Sequence, residues 1–380
     1  MEQIKKRTFW LKKISKLWGK ANIIWLHGVR RVGKTCLARS IPDIEYFDCE
    51  LPRVRRLFDD PEEFFKELRN KKVVIDEVHR LDNPSEVLKI AADYFPRMKI
   101  IATGSSTLGT SIKFKDTLTG RKKDLWLLPM TVPDLTDFGH TDLVYRLQRG
   151  GLPPFFQART FPETDFQEWL DAFWAKDIQE LFRLERRHSF QKFMELLFMQ
   201  SGGIFEASSL AKPCEVSRTT IGNYLKILEA TAAVHILKPF SSYKTSEIIS
   251  APKVYAFDTG FVCYWRGWDK LRPDDLGILW EHFVLNEIYA NYQNKKVAYW
   301  RDKRGHEIDF VLTPRAGAPT AVETKWRFEG FEPGNLLAFR RQHPQGNNFV
   351  IASDVTRTFS RNYGGITVKF VNLTEFIGSN

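Results

Sequence analysis

The sequence predicts an α/β protein in three consecutive parts: a parallel-sheet core, a mostly helical middle and a second, smaller α/β unit. Three observations predict it. From about residue 21 to 135, short apolar runs (ANIIWLHG, IEYFD, KKVVIDE, MKIIATGSS, DLWLLP) alternate with helical stretches, the pattern of strands joined by helices in a parallel sheet. After the break GGLPPF, the apolar positions of WLDAFWAKDIQELFRL and FQKFMELLFMQ recur at helical spacing. From about residue 277 the order becomes helix, three strands, helix, strand. The boundaries fall at 1–150, 151–265 and 266–380, with SSYKTSEIISAPK (241–253) as the flexible connection.

A chain of 380 residues is long for one core and suits two or three domains. No apolar run reaches the roughly 18 to 20 residues of a membrane span, so no membrane partner is expected. The N-terminus, MEQIKKRTFWLKKISKLWGK, lacks the apolar stretch of a secretory signal. It is acid-poor, as a mitochondrial presequence is, but it runs straight into the first strand and reads as a basic amphipathic helix of the fold. The four cysteines form no CxxC pair and no metal spacing, which points to a reducing cytoplasm and away from structural zinc. Net charge is +11, and residues 1–39 hold eleven Lys/Arg against Glu2 alone. A second basic run comprises Lys295, Lys296, Arg301, Lys303 and Arg304. Such clusters suit a phosphate backbone, and the plain alternative is a solvated surface with counter-charge for a nucleotide.

The first part carries GxxxxGK[ST] at Gly28-Val29-Arg30-Arg31-Val32-Gly33-Lys34-Thr35, followed by Cys36. Glycines let backbone N–H groups wrap phosphates, Lys34 reaches the β- and γ-phosphates of ATP, and the Thr35 hydroxyl ligates Mg²⁺. KKVVIDE is an apolar strand ending in two acids: Asp76 holds Mg²⁺, and Glu77 orients and polarises the attacking water. With the strand–loop–helix context this reads as a P-loop NTPase core. MKIIATGSS ends in small polar residues, making Thr103, Ser105 or Ser106 the candidate γ-phosphate sensor, or alternatively a Ser/Gly-rich turn. Arg121 in LTGRKKDLW is a candidate arginine finger for a neighbouring subunit's nucleotide, which implies a homo-oligomer such as a ring. A solvated arginine is the plain reading.

In the middle, SSLAKPCEV, a turn near Val216-Ser217, and RTTIGNYLKILEA read as a helix-turn-helix. Val234–Pro239 and Lys253–Asp258 would be its wing strands. Arg218, Thr219, Thr220 and Asn223 are the candidate DNA contacts, joined by Lys295, Lys296 and Arg304 of the basic run. The same module also serves elsewhere as a packing unit. In the third part, VAYWRDKRGHEIDFVL is a strand–turn–strand and PTAVETKW a further strand. Asp309, then Glu323 and Lys325, give the D…ExK pattern of a PD-(D/E)xK nuclease-like α/β domain. Asp309 and Glu323 would hold a metal, and Lys325 would orient or deprotonate water. Glu281, in LGILWEHFVLNEIY, is a further acid for that site, and Glu307 shares a face with Asp309 by alternation. A strand pair with a solvated salt bridge, or a decayed nuclease kept for binding, is the alternative.

Taken together, GVRRVGKT, VVIDEVHRL, TGSS, GGLP, AKDI, SRTTIGNYLKILEAT, KVYAFDTG, WEHFVLNEI, YWRDKRGHEIDFVL and VETKW resemble a family of bacterial and archaeal AAA-type ATPases with a C-terminal domain of unknown function. The resemblance covers nearly the whole chain. It implies a P-loop ATPase core, a winged helix and a nuclease-like C-terminal fold, without a settled cellular role. LPMTVPDL and AFWAKDI depart from the family's usual runs, at positions that bear on domain contacts rather than on Lys34, Asp76 or Glu323. The leading expectation is an ATP-hydrolysing DNA-binding motor or remodelling enzyme. The alternatives are an ATP-dependent regulatory switch for a protein partner and a metal-dependent DNA endonuclease gated by ATP.

Overall fold

Each apolar run of the first part becomes a strand because its alternate residues find a hydrophobic layer on either side. In the computed structural model, which describes residues 5–104, 112–160, 163–241, 251–293, 296–313 and 317–378, these runs are β1 (Ile23–His27), β2 (Ile44–Asp48), β3 (Lys72–Asp76), β4 (Lys99–Ala102) and β5 (Lys122–Trp126). All pairs are parallel, in the order β2-β3-β4-β1-β5. Ile23, Trp25, Val73, Ile75 and Ile100 pack to one side with Phe65 and Leu88, and Ile24, Leu26, Val74 and Ile101 to the other.

The N-terminal segment is a helix of the fold (Thr8–Trp18) that buries Trp10, Ile14 and Trp18. Arg7 anchors it: its guanidinium pairs with Asp134 at 2.6 Å, both groups nearly inaccessible, and also donates to the Val32 and Leu128 carbonyls. Asp134 is meanwhile the N3 residue of a capping box with Thr131 that starts helix Val132–Phe138.

In the middle, helix Glu163–Ala172 continues into a π-helical stretch, Phe173–Gln179. Helices Ala207–Ala211 and Arg218–Ala230 follow, the second capped by the Ser217 side chain. The strands β7 (Val234–Pro239) and β8 (Lys253–Ala256) pair antiparallel, and β8 also pairs with the two-residue β6 (Gly203–Ile204).

These strands do not stand apart from the C-terminal part. Pro239 and Lys238 of β7 pair with β9 (Val297–Arg301), which continues into β10 (Glu307–Leu312), β11 (Thr320–Lys325), β12 (Asn348–Ala352), β14 (Ile366–Val371) and β13 (Phe359–Tyr363). The result is one nine-stranded sheet, β13-β14-β12-β11-β10-β9-β7-β8-β6. Helix Pro273–Tyr292 lies across it, with Trp280 Nε1 donating to the Ile351 carbonyl. In the sequence, Ile278, Phe283, Leu285 and Ile288 suggest an apolar face for this helix. Instead Leu279, Trp280, Phe283, Val284, Leu285 and Ile288 are buried nearly all round, while Ile278 is only half-buried. The reason is that the helix is enclosed: Gln293, just past its end, exchanges hydrogen bonds with the Trp126 backbone (2.7 and 3.1 Å), and Glu287 accepts from the Val132 N–H. One hydrophobic core therefore runs from Trp10 to Phe376 through all three parts. No helix among the described residues is long and apolar enough to cross a membrane.

Candidate functional site

The loop between β1 and helix Lys34–Arg39 is shaped by glycine. Gly28 takes φ 148°, and a Cβ there would lie 2.6 Å from the Leu127 carbonyl oxygen, so a side chain would push β1 off the end of β5. Gly33 (φ 99°) opens the helix. Val29 and Val32 turn their side chains into the core, so of the predicted loop residues these two offer backbone alone. Arg30, Arg31, Lys34, Thr35 and Cys36 line a cavity of about 750 Å³, within the size range of small-molecule sites.

Lys34 donates from Nζ to the Gly28 (2.8 Å) and Val29 (3.3 Å) carbonyls, folded over its own loop. Burial lowers its pKa, against the pull of Glu77, Asp177 and Asp76. At the end of β3, Asp76 accepts from Thr35 Oγ1 at 3.0 Å and from the hydroxyls of Tyr46 and Thr103. Thr103 also accepts the Glu77 N–H at 3.1 Å, so its hydroxyl is engaged with the two acids rather than turned to the cavity. Glu77 adopts φ 53°, and its carboxylate lies 3.1 Å from His79 Nδ1. Burial alone would raise the Glu77 pKa, but His79, then Lys34 and Arg30, outweigh it and hold the group below the usual glutamate value. Tyr46 and His79 escaped the sequence reading, because one looks like any strand tyrosine and the other like any turn histidine. Thr35 and Asp76 are hard oxygen donors already in contact, which fits Mg²⁺, an ion that completes its shell with phosphate and water.

The cavity has a second wall. Arg30 Nε donates to Asp177 Oδ2 at 2.6 Å, and the Arg30 carbonyl accepts from Trp169 Nε1 at 3.1 Å. Arg80 reaches Glu180 at 2.7 Å. The loop is thus tied to the π-helical stretch carrying Lys176 and Asp177. Arg121 is elsewhere. It precedes Lys122, which pairs with Ile23 at the start of β1, and it donates to Asp93 at 2.6 and 3.1 Å. That is the end of the sheet opposite the loop, so Arg121 does not reach the Gly28–Thr35 cavity of its own chain. Ser105, Ser106 and Lys295 lie outside the described residues.

In the third part, β9–β10 and β10–β11 are antiparallel, and the last ladder pair beside the acids is Phe310–Val322. Beyond it, Asp309 Oδ2 accepts from the Thr324 N–H (2.7 Å) and hydroxyl (2.8 Å). Glu323, 2% exposed, bonds Lys325 Nζ through Oε2 at 3.3 Å, while its Oε1 is buried without a partner. Glu281 accepts from Tyr255 at 2.5 Å and lies 3.5 Å from Lys253. Burial, then Asp309, pushes the Glu323 carboxyl up to about 8 and that of Glu281 to about 7. Glu281, Asp309, Glu323 and Lys325 thus share one electrostatic neighbourhood. Simple alternation, however, does not place Glu307 beside Asp309. The register shifts between Ile308 and Val311, and Glu307 instead pairs with Lys253, with Arg301 at 3.9 Å. Lys253 went unread because it is remote in sequence, at the foot of a strand assigned to the middle part. Among the described residues no three His, Cys, Asp or Glu groups gather closely enough to hold a metal ion between them.

Of the candidate DNA contacts, Arg218, Thr219 and Asn223 are exposed on helix Arg218–Ala230, next to exposed Lys226. Thr220 is spent on the helix cap, its N–H and hydroxyl both bonded to Ser217. Lys296 and Arg304 are exposed. In the N-terminal helix Lys13 is half-buried and donates to the Asn291 carbonyl at 2.9 Å, and burial lowers its pKa to about 8. Lys6, Lys12, Lys16 and Lys20 face solvent.

Three family models match consecutive stretches: an AAA domain at residues 20–136, a domain of unknown function (DUF8612) at 140–272 and another (DUF4143) at 276–372. Two mycobacterial relatives, uncharacterized proteins Mb2031c of Mycobacterium bovis and Rv2008c of Mycobacterium tuberculosis, are each 29% identical over 320 residues, covering 80% of this chain and 70% of theirs. Among solved structures, a signal transduction ATPase with a tetratricopeptide repeat sensor from Pyrococcus horikoshii overlays 74% of this chain and 46% of its own, at 11% identity and a TM-score of 0.29. The chain therefore spans less than half of that protein. The DNA clamp loader delta protein of Bacillus subtilis overlays 73% of this chain and 98% of its own, at 12% identity and a TM-score of 0.26. Overlays this loose say nothing of function. The AAA-domain match, over the stretch that holds Gly28–Thr35, Asp76 and Glu77, supports an AAA-type ATPase core.

Proposed function

We propose that this chain is an ATP-hydrolysing, DNA-binding motor or remodelling enzyme with a nuclease-like C-terminal unit. The observation that carries the ATPase half is the constellation of Gly28, Lys34, Thr35 and Glu77 on one open cavity, with Asp76 directly behind Thr35. With ATP as substrate, Lys34 exchanges the carbonyls of its own loop for phosphate oxygens. Thr35 and Asp76 are the residues that would hold Mg²⁺, whose charge offsets that developing on the phosphates. Glu77, ionised at neutral pH, leaves His79 to orient the attacking water, and Thr103 fixes its backbone while it does so.

The DNA half rests on the exposed Arg218, Thr219, Asn223 and Lys226 stripe of a capped helix followed by the β7–β8 hairpin, which we read as a winged helix. It also rests on the basic N-terminal helix, and on the D…ExK residues clustering in the third part. ATP turnover measured with single-stranded, duplex and branched DNA at two salt concentrations tests it. Stimulation that fades with salt is expected, because phosphate contacts weaken as counterions compete.

A second reading, a nucleotide-controlled switch for a protein partner, is favoured by the Arg30–Asp177 and Arg80–Glu180 pairs that tie the cavity to the helical middle. Turnover indifferent to every DNA would select that reading. Action in a ring, with Arg121 reaching a neighbour's nucleotide, is part of the motor proposal and predicts concentration-dependent turnover.

A further inference from the structure

The acids of the C-terminal cluster are not balanced by Lys325 alone. Lys253, 4% exposed at the start of β8, sets its ammonium 3.5 Å from Glu281 Oε1, in contact with Glu307 Oε1 and 3.5 Å from the Tyr255 hydroxyl. Lys253 and Tyr255 are two apart on one strand, so both reach the cluster from the same face of β8. An ammonium buried this deeply is retained only where carboxylates and hydrogen bonds replace its water, and here two acids do so.

The charges divide in space. Lys253 takes Glu281 and Glu307. Lys325 takes one oxygen of Glu323, whose other oxygen is buried with no donor, and Asp309 is steadied beside it by Thr324. An unpartnered buried carboxylate oxygen is costly, and it is the point in the cluster that a cation would best satisfy. Were all four acids ionised, four carboxylates against two ammonium groups would leave two negative charges to be offset, by a bound cation or by protons. Arg301, half-exposed at 3.9 Å from Glu307, is solvated and offsets little. Two carboxylates with water and phosphate suffice for Mg²⁺ or Mn²⁺, whereas a two-ion site needs bridging acids, which Lys253 already engages.

We propose that Lys253 is a built-in cation standing in place of a second metal, so that the cluster binds one divalent ion, at Asp309 and Glu323, and not two. This deepens the nuclease-like reading and rests on it.

The test is Mn²⁺ binding to the full chain without nucleotide, with sites counted by electron paramagnetic resonance of free ion and checked by calorimetry. Wild type should bind one ion and Asp309→Asn none. Lys253→Met should bind two, or bind the first at least about tenfold tighter for loss of a nearby positive charge. Lys253→Arg should keep one ion, and ATP affinity at the distant loop, measured in each variant, shows that the protein is folded. Two ions in wild type, or a Lys253→Met titration indistinguishable from wild type, overturns the inference. So does an unchanged count in Asp309→Asn, or an ion bound by Lys253→Met alone. No ion in wild type or in any variant sinks the metal-site reading itself, and the inference with it.

Discussion

The two polar sites of this molecule solve the same problem, gathering like charges beside a lysine, in opposite ways. At the nucleotide cavity Asp76 is saturated by hydroxyls from Thr35, Tyr46 and Thr103, and Lys34 rests on carbonyls of its own loop. In the C-terminal cluster the lysines are locked onto the acids, and Glu323 keeps a buried oxygen with no donor. The first site keeps Glu77 ionised and its lysine exchangeable, as an incoming anionic substrate requires. The second is enclosed and short of positive charge. The lesson is that burial pushes both Glu77 and Glu323 up, yet their net shifts are opposite because their partners differ: a histidine and two basic groups hold one low, while neighbouring acids add to the rise of the other.

The comparison breaks most visibly at Lys34. Lys34→Ala should lower ATP affinity by about 100-fold or more, since a charge-assisted phosphate contact is lost from a buried setting, and equilibrium titration with a fluorescent ATP analogue reads it. The same substitution should leave Mn²⁺ binding at the C-terminal cluster unchanged. Affinity within a few-fold of wild type would show that the cavity does not bind phosphate through this lysine.

A smaller effect sharpens the contrast in acid strength. Glu287 joins the two regions, buried on helix Pro273–Tyr292, with its carboxylate on the Val132 N–H. Burial pushes its pKa up to about 8. An acid raised in the folded state binds its proton more tightly there than in the unfolded chain. Its contribution to stability is therefore full below the unfolded value of about 4.5 and is lost as pH rises towards 8. Glu287→Gln should flatten that decline by an amount on the order of 3 kcal/mol, in denaturant titrations at pH 5 and pH 9. Parallel pH profiles for both proteins would mean that the carboxyl is ionised where it stands.

These residues also show how far the sequence could be read. Gly28 to Thr35 was legible because eight consecutive residues carry the geometry in their own backbone, and Asp76 with Glu77 because a strand end fixes both. All five strands of the first sheet followed from alternation. In the C-terminal cluster, Asp309, Glu323 and Lys325 were legible on neighbouring strands and Glu281 on the helix that crosses them. Lys253 is brought there by β7 pairing with β9, a long-range registration that no local pattern announces. The same pairing joins two parts that appeared separable in sequence. Helix Pro273–Tyr292 is buried on more sides than Ile278, Phe283, Leu285 and Ile288 alone suggest, for a related reason: amphipathicity reports an exposed surface, and only Pro273 and Asp274 of this helix are exposed. Tyr46 and His79 are single side chains meeting acids across β2–β3 and a turn, with no motif of their own.

The smallest expected effect concerns the basic N-terminal helix. Neutralising exposed Lys6, Lys12, Lys16 and Lys20 together should reduce the slope of log DNA affinity against log salt by roughly one to three units. Changing Lys13, which is held by the Asn291 carbonyl, should instead cost stability and leave the slope alone. Equal slopes for all variants would put the DNA path at the Arg218 helix or near Lys296 and Arg304.

The central claim, that this cavity binds ATP and turns it over through Glu77, is met most directly by Glu77→Gln assayed for binding and hydrolysis in the same preparation. The substitution keeps the Asp76 and Thr35 oxygens but removes the group that polarises water. ATP affinity should therefore stay within a few-fold of wild type while turnover falls by about 100-fold or more. Turnover undiminished in Glu77→Gln, or wild-type protein that binds ATP and never hydrolyses it under any DNA or salt condition, would contradict the account.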